Sequence, residues 1–302
     1  MYKVICKDAK EALMYFEDCS IDALISDIPY GVNINPVWDK GLPSEDVWKE
    51  CYRVLKPGSY CAIFGQPSMV MELMSVMSNT EFEYKDMWIW QYQGTHTKGF
   101  KLTEDDQLYR SRIRNVFNPI YLFRKKLEGA EKDNWLKYRT NLLNTDAARE
   151  PYEGNHSAII KKYEETGEKH TQSDKKSNTF GKLDKKGWIP NKKGREPVNL
   201  KYFPRATKLE RTIDGLVDNT HETVKPINLM LWLVKLITNN ETQTVLDPFC
   251  GSGSTGCACK ILNRRFIGID VDEVYAALSL ERIANVHRIE DRLKKSDESK
   301  TR

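Results

Sequence analysis

Val245-Leu246-Asp247-Pro248-Phe249-Cys250-Gly251-Ser252-Gly253-Ser254-Thr255-Gly256 is the most informative segment of the chain. An apolar strand ends in an acid, a glycine turn follows, and a helix then begins. Glycines let the backbone approach a ligand closely, and a helix N-terminus favours a carboxylate or phosphate. Asp270 ends the next predicted strand, 19 residues after Gly251, about the spacing at which an acid reaches a ribose hydroxyl in Rossmann-type folds. A glycine turn alone often binds nothing, but both acids and both strands together predict a nucleoside site.

Apolar runs and helical periodicity alternate on both sides of this stretch, which indicates an α/β fold. The predicted strands are 3–6, 22–26, 59–64, 86–91, 117–123, 244–246 and 265–269. The predicted helices are 8–17, 45–55, 68–78, 226–238, 254–262 and 273–293. We therefore expect a Rossmann-like sheet with helices on both of its faces.

The middle of the chain is more basic than the rest. The whole chain has 47 Lys and Arg against 43 Asp and Glu, and the segment from Leu122 to Thr212 has 22 against 13. This leaves 25 against 30 elsewhere. A basic block beside an acidic body indicates a surface that faces a polyanion, although a solvated lysine-rich insertion fits the charge equally well. Aromatic residues such as Trp188 favour a partly ordered module over a disordered one.

Composition excludes other classes of protein. Apolar residues make up 40% and charged residues 30% of the chain, which is typical of a globular protein. The longest apolar segment, 227–237, is broken by Asn228 and Lys235, so no transmembrane helix and no membrane association are expected. The seven cysteines form no CxxC pair and the five histidines lack metal-ligand spacing. We therefore expect reduced thiols in a cytoplasmic protein and no metal site.

A second candidate site follows the predicted strand 22–26 and reads Ser26-Asp27-Ile28-Pro29-Tyr30-Gly31. An acid at the carboxyl end of a parallel strand lies where ligands bind in such sheets. Asp-x-Pro is also ordinary in a capped turn, so these residues alone leave both interpretations open.

Together the two stretches resemble the DNA amino-methyltransferases, which methylate an exocyclic amine with S-adenosylmethionine. Asp27-Ile28-Pro29-Tyr30 is similar to the catalytic Asp/Asn/Ser-Pro-Pro-Tyr/Phe/Trp of that family. Asp247 to Gly253 matches its cofactor loop, Asp-x-Phe-x-Gly-Ser-Gly. The catalytic motif precedes the cofactor loop, an order similar to the circularly permuted β-type subgroup. Weaker similarities are Cys6-Lys7-Asp8-Ala9, Tyr52-Arg53-Val54-Leu55-Lys56-Pro57-Gly58 and His221-Glu222-Thr223-Val224-Lys225-Pro226.

The resemblance implies catalytic roles for four residues. The Asp27 carboxylate and the Ile28 carbonyl would accept hydrogen bonds from the target amine, and Tyr30 would stack on the flipped base. Ile28 replaces the first proline of the family motif, but a carbonyl does not require proline, and Pro29 biases Ile28 toward an extended backbone.

The resemblance also implies a site for S-adenosylmethionine. Asp270 would hold the ribose hydroxyls, and Asp8, with Ala9 beside it, would lie near the adenine. The loop of Gly251, Ser252 and Gly253, together with Lys225, would face the methionine part. Asp247 and Phe249 complete the expected cofactor-binding set; Phe249 fits a core position equally well.

In this interpretation residues 1–124 form the catalytic half of a methyltransferase domain, 125–212 an inserted target-recognition region and 213–302 the cofactor-binding half. The expected activity is site-specific methylation of adenine N6 in double-stranded DNA with base flipping, because Asp at the first motif position favours adenine over cytosine. Methylation of cytosine N4 and a catalytically inactive DNA-binding fold stay open. A restriction–modification role is implied, but the sequence does not identify an endonuclease partner, and a homodimer stays open.

Two further features carry paired interpretations. Trp88 and Trp90 alternate on a predicted strand, which indicates core packing or base stacking. Arg110, Arg112 and Arg114 alternate just before the strand 117–123, which indicates phosphate contacts or a solvated edge.

Overall fold

The computed structural model describes residues 1–31, 41–94, 99–152, 155–167, 191 and 193–293. The strands within these ranges are β1 (Tyr2–Cys6), β2 (Ala23–Asp27), β3 (Tyr60–Phe64), β4 (Glu83–Gln91), β5 (Lys101–Glu104), β6 (Gln107–Arg110), β7 (Phe117–Arg124), β8 (Leu200–Tyr202), β9 (Thr244–Asp247) and β10 (Arg265–Asp270). The helices are α1 (Ala9–Leu13), α2 (Glu45–Val54), α3 (Val70–Ser78), α4 (Glu131–Tyr138), α5 (Asn155–Thr166), α6 (Lys208–Thr212), α7 (Ile227–Ile237), α8 (Ser254–Ile261) and α9 (Glu273–Asn285), with 3₁₀ turns at Pro67–Met69, Thr145–Ala148 and Val286–Arg288. Trp188 and the lysine pairs 175/176 and 185/186 lie outside the described residues.

One large sheet organises the described fold, with the strand order β1-β10-β9-β2-β3-β7-β4-β8. β7 runs antiparallel to β3 and β4, whereas the other neighbouring strands are parallel. The carboxyl ends of the parallel strands therefore meet at one edge, which is where ligands bind in sheets of this kind. β5 and β6 form a separate antiparallel hairpin.

Helices cover both faces of this sheet because successive side chains of a buried strand point to opposite sides. Leu246 packs into a core with Leu13 of α1 and Trp48 of α2. On the other face, the rings of Trp88 and Trp232 of α7 meet edge to face at 5.4 Å. The expected α/β class with helices on both faces is confirmed, and both Trp88 and Trp90 belong to the core.

The predicted elements recur within a few residues of their expected bounds, with two exceptions. α1 ends at Leu13, well before residue 17, and α9 ends at Asn285, where a 3₁₀ turn begins. Short elements had no periodic signal in the sequence. α6 has five residues and depends on a capping box between Thr207 and Glu210.

The chain divides into two compact units. The first comprises Met1–Asn144 and Val198–Lys295, and the second takes in Thr145–Pro197. Residues 125–144 and 198–212, which the sequence analysis assigns to the inserted region, thus fall within the first unit. The reason is visible in β8, which pairs with β4. In the second unit, Glu150 and Arg195 exchange backbone hydrogen bonds.

No helix in the described ranges combines the length and the hydropathy needed to cross a bilayer.

Candidate active site

The site lies where the strand order changes direction at the carboxyl edge of the sheet. From β9 the chain passes to β10, toward the β1 edge, whereas from β2 it passes to β3, in the opposite direction. Open α/β sheets bind ligands in the crevice at such a switch point. Asp27 and Asp247 end the two strands that flank it. A cavity of about 320 Å³ opens there.

This cavity brings together most of the residues chosen from the sequence. All four predicted catalytic residues line it, as do eight of the nine predicted cofactor residues; Gly253 is the exception. The predicted residues in the lining are Asp8, Ala9, Asp27, Ile28, Pro29, Tyr30, Lys225, Asp247, Phe249, Gly251, Ser252 and Asp270.

Asp27 is held by two side chains. The Tyr30 hydroxyl donates to Oδ1, and the Lys225 ammonium forms an ion pair with Oδ2. Lys225 is buried, with its Nζ 5.2 Å from the centroid of the Phe64 ring. A carboxylate has about four lone-pair sites, so Asp27 keeps acceptor capacity for a further donor. Lys225, assigned from sequence to the cofactor, is thus brought against Asp27.

The burial of Ile28 explains how an isoleucine can occupy the position of the first proline in the family motif. Its side chain is 2% exposed and packs into the core beneath α1 and α2. An apolar residue at this position anchors the loop through burial, whereas a proline would restrict the backbone. Tyr30 packs against the same core.

Asp247 links three parts of the fold. Ser26 of β2 donates to Oδ1 at 2.6 Å, Thr255 of α8 donates to Oδ2 at 2.6 Å, and the Phe249 N–H donates to Oδ1 at 3.2 Å. Burial raises the pKa of Asp247 to about 7 from an ordinary value of 3.8, although these donors oppose the shift. This carboxyl group therefore positions the cofactor loop against β2.

Asp270 is arranged differently. The Gly251 N–H donates to Oδ2 at 2.7 Å and the Asp272 N–H donates to Oδ1 at 3.0 Å. Burial raises the pKa of this carboxyl group. The two backbone donors leave acceptor sites on both oxygens, which is what a pair of ribose hydroxyls requires. The residues present therefore fit a ribose-bearing cofactor.

The glycines of the loop are required by packing within the protein. Gly251 has φ +48°, and a Cβ there would lie 2.7 Å from Nε2 of His221. Gly253 has φ +77°, and a Cβ there would lie 2.3 Å from Oγ of Ser279 in α9. The absent side chains thus allow His221 and α9 to pack directly against the loop.

Asp8 and Phe249 border the cavity with clear local roles. Asp8 caps α1 by accepting from the backbone N–H groups of Lys10 at 2.9 Å and Glu11 at 3.3 Å. Phe249 lines the cavity and also packs against the core, so the two interpretations of this residue are compatible.

The described residues contain no group of three or more His, Cys, Asp or Glu arranged to hold a metal ion. All seven cysteines are free thiols.

The sequence model of the N6/N4 methyltransferase family, described as DNA methylase, matches residues 21–281. The chain belongs to this DNA methylase family. The resemblance drawn from its motifs is therefore confirmed, and DNA is the substrate of this DNA amino-methyltransferase.

Two named relatives and one solved structure are similar to the chain at 13–28% sequence identity. The type II methyltransferase M.HpaI of Haemophilus parainfluenzae is 28% identical over 93% of this chain and 74% of its own length. The DNA adenine methyltransferase YhdJ of Escherichia coli is 24% identical over 93% of this chain and 82% of its own. The structure of the cytosine-N4-specific PvuII DNA methyltransferase aligns with a TM-score of 0.58 at 13% identity, covering 95% of this chain and 92% of that one. At that identity the likeness shows a shared fold.

Two residues that the sequence analysis missed support the cofactor loop of this methylase. Arg282 of α9 is fully buried and donates to the Ser252 carbonyl and to Ser252 Oγ. It also donates to the Glu210 carbonyl at 2.9 Å. Burial lowers the pKa of Arg282. Its position on the apolar side of α9, three residues after the buried Ser279, was the available signal.

Glu210, whose carbonyl accepts from Arg282, also holds the segment that carries Lys225. One carboxylate oxygen accepts from the backbone and hydroxyl of Thr207 at 2.8 and 3.0 Å. The other accepts from the Ile227 N–H at 3.0 Å, at the first turn of α7. Ile227 follows Lys225 by two residues, so Glu210 fixes the backbone that carries the partner of Asp27.

His221 completes one wall of the cavity. Burial lowers its pKa to about 4, so the imidazole is neutral at neutral pH. Nδ1 accepts from the Thr223 N–H at 3.3 Å, and the ring packs 4.6 Å from that of Tyr275. A neutral, oriented imidazole adds shape and polarity without a positive charge.

Proposed function

We propose that this methylase transfers a methyl group from S-adenosylmethionine to the N6 amine of adenine in double-stranded DNA. One observation carries the proposal: a single cavity joins Asp27 and Ile28, the candidate amine acceptors, to Asp270, the candidate ribose ligand. The acid at the first motif position and the relative named as an adenine methyltransferase both support adenine.

The side chains divide the work of binding. Asp270 would accept from the ribose hydroxyls, while Gly251 and Ser252 form the wall along the methionine part. Asp8, Ala9 and the half-buried Phe249 also line the cavity, and in this proposal they lie near the adenine of the cofactor. When bound, S-adenosylmethionine supplies a methyl group on a positively charged sulfur.

Asp27 and Ile28 would act on the amine. The nitrogen of an exocyclic amine is a poor nucleophile because its lone pair is delocalised into the ring. Hydrogen bonds from its two N–H groups to the Asp27 carboxylate and the Ile28 carbonyl would favour a pyramidal nitrogen whose lone pair is available. Preorganised acceptors of this kind lower a barrier by positioning and electrostatics.

Lys225 and Tyr30 would keep the acceptor in place. Both bind the Asp27 carboxylate, one on each oxygen, which fixes its plane before the base arrives. The amine is inaccessible inside a duplex, so the target base must be flipped out of the stack. Tyr30 and Pro29 border the space that such a base would enter. M.HpaI is named a type II methyltransferase, which supports a role in a restriction–modification system.

Nucleoside analysis tests the proposal. Bacterial genomic DNA is incubated with the protein and S-adenosylmethionine, digested to nucleosides and analysed by mass spectrometry, and long-read sequencing locates the sites. We expect N6-methyladenine. N4-methylcytosine would overturn the choice of base, and cofactor binding without any methylated nucleoside would indicate an inactive DNA-binding fold.

The role of Asp27 is tested with Asp27→Ala, which removes both acceptor oxygens of the side chain, whereas Asn, which the family motif also contains at this position, would keep one. We expect methyl transfer to fall by a factor on the order of a hundred or more, with the affinity for S-adenosylmethionine within a few fold of the unmodified protein. Retention of most of the activity would contradict the role given to Asp27.

A further inference from the structure

The hairpin of β5 and β6 is a solvent-exposed part of the first unit. It lies between β4 and β7, and every residue from Gly99 to Asn115 is exposed. An isolated two-stranded hairpin is only marginally stable in water. Its strands are nevertheless in register over four residue pairs, so its surface is presented in a defined arrangement.

Strand register locates this hairpin relative to the active site. Asp27 pairs with Phe64, Phe64 pairs with Ile120, and Ile120 pairs with Trp88, so all four lie in one row across the sheet. β4 runs parallel to β2 and continues three residues beyond that row, to Gln91. At about 3.3 Å per residue, this is roughly 10 Å past Asp27 in the direction of the carboxyl edge. The hairpin therefore emerges from the edge that holds the catalytic cavity.

Positive charge is concentrated at the base of the hairpin. Lys101 lies directly opposite Arg110 in the register, so both side chains point to the same face. Like charges directly opposite one another destabilise a strand pair, unless an anion lies against them. Arg112 and Arg114 follow β6, and together with Lys101 and Arg110 they form a group of exposed cations that we call the basic row. The acids Glu104, Asp105 and Asp106 lie at the other end of the hairpin, at the last residue of β5 and in the turn.

The opposite face of the hairpin has an apolar pair, Leu102 and Tyr109, at its base and a polar pair, Glu104 and Gln107, near the turn. Leu102 pairs with Tyr109, and the two side chains are 48% and 51% exposed. Phe100 and Ile113, near the base, are exposed to a greater extent. Aromatic and apolar side chains beside cations are suited to binding a nucleic acid, because phosphates attract the cations and bases or sugars pack against the rings.

We propose that this hairpin is a DNA-contacting element, with its basic row on the phosphates next to the flipped base and Leu102 and Tyr109 against the adjoining nucleotides. The proposal rests on DNA being the substrate and does not depend on which base is methylated. It assigns part of DNA binding to a segment outside the basic middle of the chain.

The test compares two triple variants of the full chain. The first is Arg110→Gln, Arg112→Gln and Arg114→Gln. The control, Lys3→Gln, Lys85→Gln and Arg265→Gln, removes three exposed charges near the amino ends of β1, β4 and β10. Affinity for a duplex containing the methylation site is measured against salt concentration with S-adenosylhomocysteine present, so that no methyl transfer occurs.

Each phosphate contact contributes about 0.9 to the slope of log affinity against log salt. We expect the hairpin triple to lower the slope by about 2–3 and the control to leave it almost unchanged. Equal slopes for the hairpin triple and the unmodified protein would overturn the proposal. Affinity for S-adenosylmethionine, measured separately, should be unchanged in both variants, which distinguishes this outcome from a failure of the proposed activity.

A second variant, Leu102→Ala with Tyr109→Ala, tests the apolar face. Loss of stacking and packing should weaken DNA binding by about tenfold or more while the salt slope stays the same. Unchanged affinity would overturn the contact proposed for this face.

Discussion

At the level of single residues, Asp247 and Asp270 end neighbouring strands beside the loop 249–253 and accept hydrogen bonds from different donors. The sequence places both in the expected cofactor-binding set and assigns the ribose hydroxyls to Asp270 only. Both line the cavity, but Asp247 accepts hydrogen bonds from three donors of the protein, whereas Asp270 accepts from two. Asp247 therefore holds the loop against β2, and we propose that Asp270 keeps acceptor sites for the ribose of the cofactor.

The raised pKa of Asp247 predicts a pH dependence of stability. Burial raises the native pKa to about 7 from 3.8, so between those values the native state holds a proton that the unfolded state has lost. The stabilisation is complete below about pH 4 and is lost as the pH rises through about 7. Asp247→Asn has no such proton, and Thr255 and Ser26 can each donate or accept.

We expect the free energy of unfolding of the unmodified protein, relative to Asp247→Asn, to decrease by up to roughly 1.4 kcal/mol per pH unit between about pH 4 and 7. Urea unfolding of both proteins across this range provides the measurement. The difference between the two isolates Asp247 from the other carboxyl groups. Parallel curves would mean that Asp247 is ionised throughout the range.

At the scale of elements, the cofactor loop depends on α9 as much as on its own sequence. Gly253 leaves room for Ser279, and Arg282, one turn further along α9, donates to Ser252. α9 thus contacts the loop at both Ser252 and Gly253. The sequence motif identifies the loop but not this helix.

Gly253 and Gly129 have nearly the same backbone φ but different surroundings. Comparing them therefore separates the cost of the backbone conformation from the cost of a steric clash. Gly253 has φ +77° and Gly129 has φ +79°, but a Cβ at Gly129 would meet nothing within 4 Å. We expect Gly129→Ala to reduce the free energy of unfolding by about 1 kcal/mol, the cost of the left-handed backbone. Gly253→Ala should lose about 1–3 kcal/mol more, because the added methyl group overlaps α9.

Urea unfolding and calorimetry with S-adenosylmethionine measure these effects. Weaker cofactor binding is expected for Gly253→Ala only. Adding Ser279→Ala should restore part of the loss, since Ser279 Oγ is the nearest atom. Equal losses at both glycines would show that only the backbone conformation matters.

At the level of the whole molecule, the basic segment and the cavity lining are drawn from different parts of the sequence. The segment from Lys161 to Arg211 has 15 Lys and Arg against 7 Asp and Glu, and none of its described residues lines the cavity. We propose that this segment, together with the hairpin, supplies the attraction to DNA and the choice of target. In this proposal the rest of the chain, which has more acidic than basic residues, supplies the residues that bind the cofactor and the target amine.

Lysines 175, 176, 185 and 186, which lie outside the described residues, provide the test of this division. Their joint replacement by glutamine should lower the salt slope of DNA binding by about 2 or more and reduce the preference for recognition sites. Cofactor affinity should stay the same. The matched control replaces four exposed lysines of the first unit, Lys3, Lys85, Lys126 and Lys132. Equal salt slopes for the lysine variant and this control would mean that the four lysines form only a solvated surface.

The sequence by itself determined the α/β class, the two motifs and the identity of most cavity residues. These follow from local patterns: apolar runs mark buried strands, and an acid or glycine after such a run marks the carboxyl edge. Short elements such as α6 and β8 escaped detection, since they are held by a capping box or by strand pairing and have no periodicity of their own.

Only the tertiary structure decided which side chains meet. Lys225 pairs with Asp27 across 198 residues of sequence, and Ser26 donates to Asp247 across 221. Such contacts depend on strand register and helix packing, which no local pattern specifies. The same register brings the hairpin of β5 and β6 to the edge that holds the cavity. The residue types of this site can therefore be predicted from local sequence patterns, whereas the hydrogen-bond donors that each acid receives depend on the tertiary structure.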